Sequence, residues 1–478
     1  MKNRNFQITV HGLCMTVLFV MILMAENCPN THAATINLKC GQKVRDNKSG
    51  NYFQAPACPK PCLARKTSVV GLAPTPTPIL LPAPIPAPVS APVPSPSPAP
   101  ASGNTIDFAC TTYWNYGHRD SAGTAVMSKV NKLRSYCDMV LTWWESTPSQ
   151  TWCPYIRHNS AVKFCGPYDN WGYMRTDKEL YKKHGVKWQL KTDSGSPTLN
   201  QYIPLEGALD WGNPAFVHFF IDYFNQPPAG ISEWTGTFRE RSWNLRELDN
   251  FVIRTINNYA WNNTPVNPRT GKAMTNAERE ADVLRAMQTM RAAADAQGLK
   301  YFANVFSDLS TDYFSRPVYS QLMNLVDYAF FEVMVADMQH NNVTESVWLT
   351  RVKIAQAIAK NNRAIPVITT EYGDFWYNVA TMLLACEPGK CMTFQQPIMT
   401  DSQIEKLSTL DLGAPVSDFA KAGCYIRSWT KGLIAVNPMD SGSCHVALSG
   451  SYRDLETGKT VSGTIQINNK GGKVLVEE

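Results

Sequence analysis

The sequence lacks the features that mark several large classes of protein. It has no run of basic residues interleaved with aromatics, and its net charge is only +6, so nucleic acid is not an expected partner. It has no paired Cys-x-x-Cys motifs and no histidine-rich tract, which argues against a zinc site. With 478 residues, 44% hydrophobic and 18% charged, it is typical of a globular protein with one large domain and a smaller one.

The first 33 residues are typical of an export signal. Lys2 and Arg4 give a basic start, and small residues end the segment at Ala33. The apolar run at 12–25 is shorter than the roughly 20 residues that a membrane-spanning helix needs. We therefore expect residues 1–33 to be removed and the mature protein to be secreted or held in the cell envelope, with no membrane span.

Export makes disulfide bonds chemically possible for the remaining cysteines. Loss of Cys14 and Cys28 with the signal leaves eleven of the thirteen cysteines, an odd number, so at least one thiol should be free or intermolecular. Short loops and neighbouring strands predict four pairs, and Cys40 is expected to pair with Cys58 or Cys62. The four predicted pairs are Cys110–Cys137, Cys153–Cys165, Cys386–Cys391 and Cys424–Cys444.

Two segments separate the signal from the main domain. Residues 34–71 are polar, cysteine-bearing and too few to bury a core, so they form either a small disulfide-dependent binding module or a spacer. Residues 72–103 alternate proline with alanine, valine and serine, which fixes φ and predicts an extended, semi-rigid linker. The main domain is expected over residues 104–422 and a last domain over residues 423–478.

Three near-continuous apolar runs organise the main domain. They lie at residues 301–308, 327–335 and 365–374, and each is too short and too rich in β-branched or aromatic residues for a helix. Strands that are buried on both faces have this pattern, which is typical of parallel sheets. Each run carries a carboxylate at or near its end, where α/β sheets place their chemistry.

Amphipathic helices alternate with these strands. Thr275 and Glu278 form a capping box that opens a helix ending at Gly298, and a second helix is predicted over about 342–362. Other predicted helices lie at 124–135, 177–184 and 213–224, and other predicted strands at 105–114, 137–144, 186–191, 230–238 and 391–396. Eight strands alternating with helices predict an α/β fold, a (β/α)8 TIM barrel.

The periodicity changes at Gly423. Short runs of alternating apolar and polar residues follow, separated by turn pairs such as Asn437-Pro438 and Gly471-Gly472. This pattern predicts a small C-terminal antiparallel β domain appended to the barrel.

Three motifs resemble a known family. They are Ile426 to Pro438 followed by Gly450 to Leu455, Asp210-Trp-Gly-Asn-Pro214 followed by Trp234-Thr-Gly-Thr-Phe-Arg-Glu240, and Asp327-Tyr-Ala-Phe-Phe-Glu332. From about residue 104 onward, the chain resembles the TIM-barrel proteins called hypothetical glycosyl hydrolases, distant relatives of endo-α-1,4-polygalactosaminidases. The resemblance implies a secreted glycoside hydrolase that acts on a polysaccharide or oligosaccharide and needs no metal and no organic cofactor.

Glycoside hydrolysis needs two carboxylates that flank one bond, and the candidates are Glu332, Glu371 and Glu240. Glu332 lies between apolar residues, where desolvation suits a general acid; the structural alternative is a pairing with an arginine or lysine inside the barrel. Glu371 ends a predicted strand and is otherwise expected to form a rim ion pair or a helix cap. Glu240 stands where the family pattern has an aspartate, and its alternative is an exposed loop position.

Four further residues near predicted strand ends are candidates for substrate binding. Aromatic faces stack on the apolar faces of sugar rings, which suggests this role for Trp114, Trp144 and Tyr372, while Asp308 could position the substrate. A competing hypothesis is a non-catalytic carbohydrate-binding or cell-surface barrel protein, because Thr235 also replaces an aspartate of the family pattern. The sugar, the linkage, the stereochemical outcome and the oligomeric state are not encoded in any of these motifs.

Overall fold

The computed structural model forms two compact units, Met1–Pro92 and Val93–Glu478. In the first unit, Lys43–Arg45 pairs antiparallel with Tyr52–Gln54. The predicted boundaries at residues 33, 71 and 103 remain predictions. The described residues are 43–45, 52–54, 106–111, 127–142, 152–167, 173–175, 181–199, 206–225, 243–248, 264–306, 316–336, 341–370, 373–395 and 399–478.

Eight parallel strands form the sheet at the centre of the second unit. Neighbouring strands pair in the order β3-β2-β1-β8-β7-β6-β5-β4. The strands are β1 Asp107–Thr111, β2 Met139–Thr142, β3 Phe164–Pro167, β4 Leu245–Leu248, β5 Lys300–Phe306, β6 Tyr328–Phe331, β7 Ile365–Thr369 and β8 Met392–Gln395.

Helices alternate with these strands along the chain, which confirms the predicted (β/α)8 TIM barrel. The helix with the predicted capping box opens at Thr275, and its last turn closes with Gly298 in the left-handed region at φ 67°. The helices are α1 Met127–Tyr136, α2 Trp152–Arg157, α3 Pro214–Asn225, α4 Asn276–Gln297, α5 Pro317–Met323, α6 Glu345–Asn361, α7 Phe375–Ala385 and α8 Asp401–Ser408.

The sheet closes where β3 meets β4, and Asn244 makes the closure. Its Oδ1 accepts the Cys165 N–H at 2.9 Å, and its Nδ2 donates to the Lys163 carbonyl at 2.9 Å. Its backbone N–H also donates to the Cys165 carbonyl at 3.1 Å. A side chain at Gly166 would meet the Leu245 carbonyl oxygen at 1.7 Å, so the close approach of the two strands requires glycine there.

We expect Asn244→Ala to lower the free energy of unfolding by about 2 kcal/mol, because two backbone groups lose their hydrogen-bond partner. Urea denaturation of the purified protein measures this change. Asn361→Ala, at an exposed position in the last turn of α6, is the matched control and should shift stability by less than about 0.5 kcal/mol. Equal effects of the two substitutions would show that Asn244 does not hold the closure.

The barrel interior consists of three tiers of four inward positions, each tier drawn from alternate strands. The strand register gives a lower tier (Met139, Leu245, Tyr328, Met392), a middle tier (Ala109, Gly166, Phe302, Val367) and an upper tier (Leu141, Glu247, Phe330, Phe394). Ten of these twelve positions form one buried apolar cluster. The two exceptions are Gly166 and Glu247.

Two predicted strands of the barrel need correction or fall outside the structure. The strand predicted at 186–191 is wrong, because helical turns occupy Tyr181–Gly185 and Val186–Trp188, and the third strand is Phe164–Pro167. Trp188 and Leu190 are both buried within the β3–α3 connection, and their spacing imitates a strand. The strand predicted at 230–238 lies outside the described residues, and the fourth strand is Leu245–Leu248.

The C-terminal β domain is confirmed as predicted. Six strands pair in the order β9-β10-β11-β16-β13-β14, and β12 pairs antiparallel with β15 as a separate two-stranded sheet. They are β9 Ala420–Ala422, β10 Cys424–Trp429, β11 Gly432–Asn437, β12 Ser443–Ala447, β13 Tyr452–Asp454, β14 Thr460–Val461, β15 Thr464–Asn468 and β16 Gly471–Glu477.

Arg427 joins the β domain to the barrel. Its buried guanidinium donates from Nη1 to the Leu384 carbonyl at 3.0 Å and to the Cys386 carbonyl, both at the C-terminus of α7. Nη2 donates to Glu387 Oε1 at 2.9 Å. A cation at a helix C-terminus satisfies carbonyls that have no partner within the helix and complements the helix dipole.

Four disulfide bonds join the pairs predicted from the sequence. Cys110–Cys137 and Cys153–Cys165 tie β1 and β3 to neighbouring segments, while Cys386–Cys391 and Cys424–Cys444 lie near and within the β domain. The proposed partner of Cys40 lies outside the described residues. Within the part of the chain that the structure describes, no helix has the length and apolar character needed to cross a membrane.

A partly buried carboxyl at the amino end of β1, that of Asp107, makes stability depend on pH. Burial, together with the charge of Asp138, raises the pKa of Asp107 to about 6, although Lys163 opposes the shift. The folded state therefore holds this proton more tightly than the unfolded state. The resulting stability is present below the ordinary pKa of 3.8 and is lost as the pH rises to about 6.

We expect Asp107→Asn to stabilise the protein by about 2 to 3 kcal/mol at pH 8 and to have little effect at pH 3.5, because asparagine carries no charge to bury. Urea unfolding at the two pH values measures the difference. A gain of the same size at both pH values would exclude ionisation of Asp107 as the cause.

Candidate functional site

Polar side chains project into the barrel at the carboxyl ends of the strands, directly above the apolar tiers. On β4, Arg246 points outward, with its guanidinium 3.8 Å from the centre of the Phe220 ring on α3. Leu245 lies in the interior cluster, and side chains alternate along a strand, so Glu247 points inward. Glu247 is 1% exposed.

Asn304 and Glu332 meet at the same edge. Asn304 follows the inward Phe302 by two residues on β5, and Glu332 follows the inward Phe330 by two residues at the end of β6. Asn304 Nδ2 donates a hydrogen bond to Glu332 Oε2 at 2.9 Å. Asn304 is buried, whereas Glu332 is partly exposed, so this carboxylate faces the solvent side of the barrel mouth.

Aromatic rings lie beneath Asn304 and Glu332, and a polar residue ends the neighbouring strand β7. The Phe330 and Phe394 rings are 4.7 Å apart, and Phe302 packs 5.3 Å from Phe330. Thr369, at the end of β7, takes the inward position two residues after Val367 and is fully buried. Above this apolar base, the Glu332 carboxylate is partly exposed, whereas the Asn304 amide and the Thr369 hydroxyl are buried.

The structure places one of the seven predicted site residues. Glu332 lies at the carboxyl end of β6, where Asn304 Nδ2 donates to its Oε2. Its catalytic role remains a prediction, as does the alternative of a pairing with an arginine or lysine. The other six remain predictions because they lie outside the described residues: Glu371, Glu240, Trp114, Trp144, Asp308 and Tyr372.

Sequence reasoning did not find Glu247 or Asn304. Leu245-Arg-Glu-Leu248 carries two adjacent charges, a pattern that does not indicate a buried strand. Asn304 stands within an apolar run that was assigned to the sheet core. Its position two residues before the end of a parallel strand is the signal that would have pointed to the site.

Asp327, the first residue of the motif that ends at Glu332, is structural. Its carboxylate lies 2.7 Å from Arg291 Nη1, 2.9 Å from Arg363 Nη2 and 3.1 Å from Lys300 Nζ, and it accepts the Tyr301 N–H at 3.0 Å. Burial works against its ionisation, but the three cations outweigh burial and hold the pKa of Asp327 below its usual value. This network lies at the amino end of the barrel, opposite the candidate site.

We expect Asp327→Asn to destabilise the protein by about 3 to 5 kcal/mol at pH 7, because it removes the buried carboxylate from three cations and leaves the buried Arg291 with only the half-exposed Asp295 as its anionic partner. The stability that Asp327 gives is present above its ordinary pKa of 3.8 and is lost as the pH falls through the lowered value. Chemical denaturation at pH 7 measures the change. Asp295 pairs with the same arginines but is half-exposed, so Asp295→Asn should lower the free energy of unfolding by less than about 1 kcal/mol.

Asp210, from another motif of the resemblance, also has a structural role. Its Oδ1 accepts the Gly212 N–H at 3.1 Å and lies 3.6 Å from Arg269 Nη1, while Arg269 also contacts Asp282 on α4. Burial raises the pKa of Asp210, with Arg269 opposing the shift. These contacts fix the start of α3 against α4.

Among the described residues, no group of three or more histidine, cysteine, aspartate or glutamate side chains could hold a metal ion.

Comparisons with known proteins give distant structural likenesses. No family model matches the chain, and no curated protein matches it. An α-amylase from Lactobacillus plantarum is similar at 12% identity and a TM-score of 0.49, over 78% of this chain and 98% of that one. A maltogenic α-amylase from Thermotoga neapolitana gives 10% identity and a TM-score of 0.47 over 78% and 98% of the respective chains. An α-galactosidase from Thermus thermophilus is similar at 14% identity and a TM-score of 0.37, over 65% of this chain and 66% of that one.

Structural similarity at TM-scores below 0.5 does not indicate what this protein does. The barrel assignment rests on the strand order and on the alternation of strands with helices.

Proposed function

We propose that the protein is a glycoside hydrolase that cleaves a polysaccharide at the carboxyl edge of its barrel, with Glu332 as one of two catalytic carboxylates. The observation that carries the proposal is the position of Glu332. Its carboxylate lies on the inner face of the barrel mouth, partly exposed and held by Asn304, above an aromatic floor.

The contact with Asn304 bears on the role of Glu332. A hydrogen bond from a neutral amide to a carboxylate oxygen favours the ionised form of that carboxylate. We therefore assign Glu332 to attack on the anomeric carbon or to activation of water, rather than to the general-acid role that its apolar neighbours suggested. The partner carboxyl then donates a proton to the leaving oxygen as the glycosidic bond breaks.

Glu371 is the favoured partner, and Glu240 is the alternative. Strands β6 and β7 are neighbours, and Phe331 is opposite Ile368 in their register. In the sequence, Glu332 directly follows Phe331, and Glu371 comes three residues after Ile368.

Trp114, Trp144 and Tyr372 are proposed as stacking surfaces for sugar rings, with Asp308 as a positioning residue. Secretion or attachment to the cell envelope is part of the proposal, and the four disulfide bonds are compatible with it.

We expect Glu332→Gln to reduce kcat on the polysaccharide substrate by a factor on the order of 100 to 10,000, because glutamine can neither attack nor accept a proton. A panel of neutral and anionic polysaccharides, assayed by release of reducing ends, identifies the substrate and measures the loss. Glu405→Gln, at an exposed position on α8, is the matched control and should retain wild-type activity.

The same panel separates hydrolysis from binding alone. Turnover that survives Glu332→Gln would exclude Glu332 as a catalytic residue. Retention of a polysaccharide without turnover, unchanged by Glu332→Gln, would instead support the non-catalytic carbohydrate-binding barrel that the substitutions at Thr235 and Glu240 suggested.

A further inference from the structure

The connection between β6 and α6, which begins at Glu332, is fixed by backbone contacts between its two arms. The Val343 N–H donates to the Val335 carbonyl at 3.0 Å, and Ala336 pairs with Asn342 in an isolated antiparallel bridge. Val335 and Ala336 are fully buried. We call these four residues the neck of the connection. Because Val335 comes only three residues after Glu332, the neck sets the path of the chain that leaves the candidate site.

A lysine of the β domain, Lys470, binds this neck. Its Nζ donates to the Val343 carbonyl at 2.6 Å, to the Pro438 carbonyl at 2.7 Å and to Asp440 Oδ1 at 2.8 Å. An ammonium has three N–H groups, so these contacts use all of them. The lysine side chain is only 11% exposed. Two of the acceptors belong to the β domain and one to the barrel, so Lys470 links the two.

The backbone of Lys470 indicates that its side chain accounts for the presence of lysine here. Lys470 lies in the turn between β15 and β16 at φ 51°, in the left-handed region. Glycine and asparagine adopt this conformation at a lower cost in free energy than lysine does. The turn alone therefore favours those residues, and the contacts of the ammonium are what lysine adds.

The turn that carries Lys470 is itself seated on the barrel. Gly472 of β16 lies so close to α7 that a Cβ there would be 2.6 Å from Ala380 Cβ and 3.0 Å from the Trp376 carbonyl oxygen. Strand β16 also pairs with β11 on one side and β13 on the other. The ammonium is therefore presented to the neck from a fixed support.

The chain that follows β7 packs against the same neck. Gly373, at φ 85°, lies so close that a Cβ there would be 2.9 Å from Val335 Cγ2 and 3.5 Å from Asn342 Oδ1. Gly373 comes two residues after Glu371, the favoured partner carboxyl. The neck therefore contacts both connections of the barrel to which the two favoured carboxylates belong in the sequence.

We propose that Lys470 is a positioning residue through which the β domain fixes the neck, and with it the two connections that follow β6 and β7. No bond of the substrate is made or broken at Lys470. Its effect on activity rests on the proposed glycoside hydrolase function, whereas the ordering of the neck does not.

Hydrogen–deuterium exchange of the full protein, followed by mass spectrometry, tests the ordering of the neck. Lys470→Met keeps most of the apolar stem but removes the ammonium, so peptides that contain Val343 should exchange about fivefold faster or more, because its hydrogen bond to Val335 opens more often. Peptides from β5 should exchange as in wild type. Lys459→Met, at an exposed position in another turn of the β domain, is the matched control and should change neither.

Unchanged exchange at Val343 would overturn the proposal, and so would faster exchange throughout the barrel, which would indicate a general loss of stability. If Lys470→Met does not fold, Lys470→Asn takes its place, because asparagine suits the left-handed turn and also lacks the ammonium. The same two outcomes decide with that variant.

Activity on the substrate identified with the panel tests the positioning role. Both variants of Lys470 should lower kcat by about fivefold or more, because small displacements of catalytic groups are costly, with KM changed by less than about twofold. Their thermal midpoints should stay near that of wild type, and Lys459→Met should keep wild-type kcat. A lowered thermal midpoint with wild-type kcat below that temperature would show that Lys470 is only structural and would refute the positioning role.

The two experiments distinguish failure of this proposal from failure of the proposed function. If wild type cleaves no saccharide, the hydrolase proposal fails, but hydrogen exchange still decides whether Lys470 orders the neck. If wild type cleaves the substrate and the Lys470 variants are equally active, the positioning role is refuted and the hydrolase proposal stands.

Discussion

The structure depends on the closure of one sheet between its third and fourth strands. Asn244 bonds to both sides of that junction, and its own carbonyl accepts the Lys300 N–H at 2.9 Å, so one residue links β3, β4 and β5. Closure makes the inward side chains of eight strands converge on one axis. Without it, Glu247, Asn304 and Glu332 would lie along an open sheet, and no common mouth would exist.

Among the described residues, a charged network lies at the amino end of the barrel and Glu332 lies at the carboxyl end, with largely apolar tiers between them. At the amino end, Asp327 is surrounded by three cations, and the resulting network fixes the starts of β5 and β6. At the carboxyl end, Glu332 is partly exposed and its described partner is a neutral amide. The first arrangement surrounds a buried carboxylate with cations, whereas the second holds a partly exposed carboxylate with an amide.

Sequence reasoning located the strands whose residues are almost all apolar and missed those in which charged or turn-forming residues interrupt the apolar run. The runs that became β5, β6 and β7 are nearly continuous in apolar residues, and hydrophobicity alone identifies them. Phe164-Cys-Gly-Pro167 contains two residues typical of turns, and the strand Leu245–Leu248 contains Arg246, whose burial depends on stacking against Phe220. That contact is tertiary, so no local pattern could reveal it, and Glu247 was missed for the same reason.

The contact of Arg427 with the end of α7 has a consequence for how this protein can be divided. The guanidinium at the end of barrel helix α7 is supplied from β10, so a barrel without the β domain would leave these α7 carbonyls without that donor. A different module in that place would have to bring its own cation to the same carbonyls. The barrel and the β domain therefore depend on each other at the end of α7, although each has a sheet of its own.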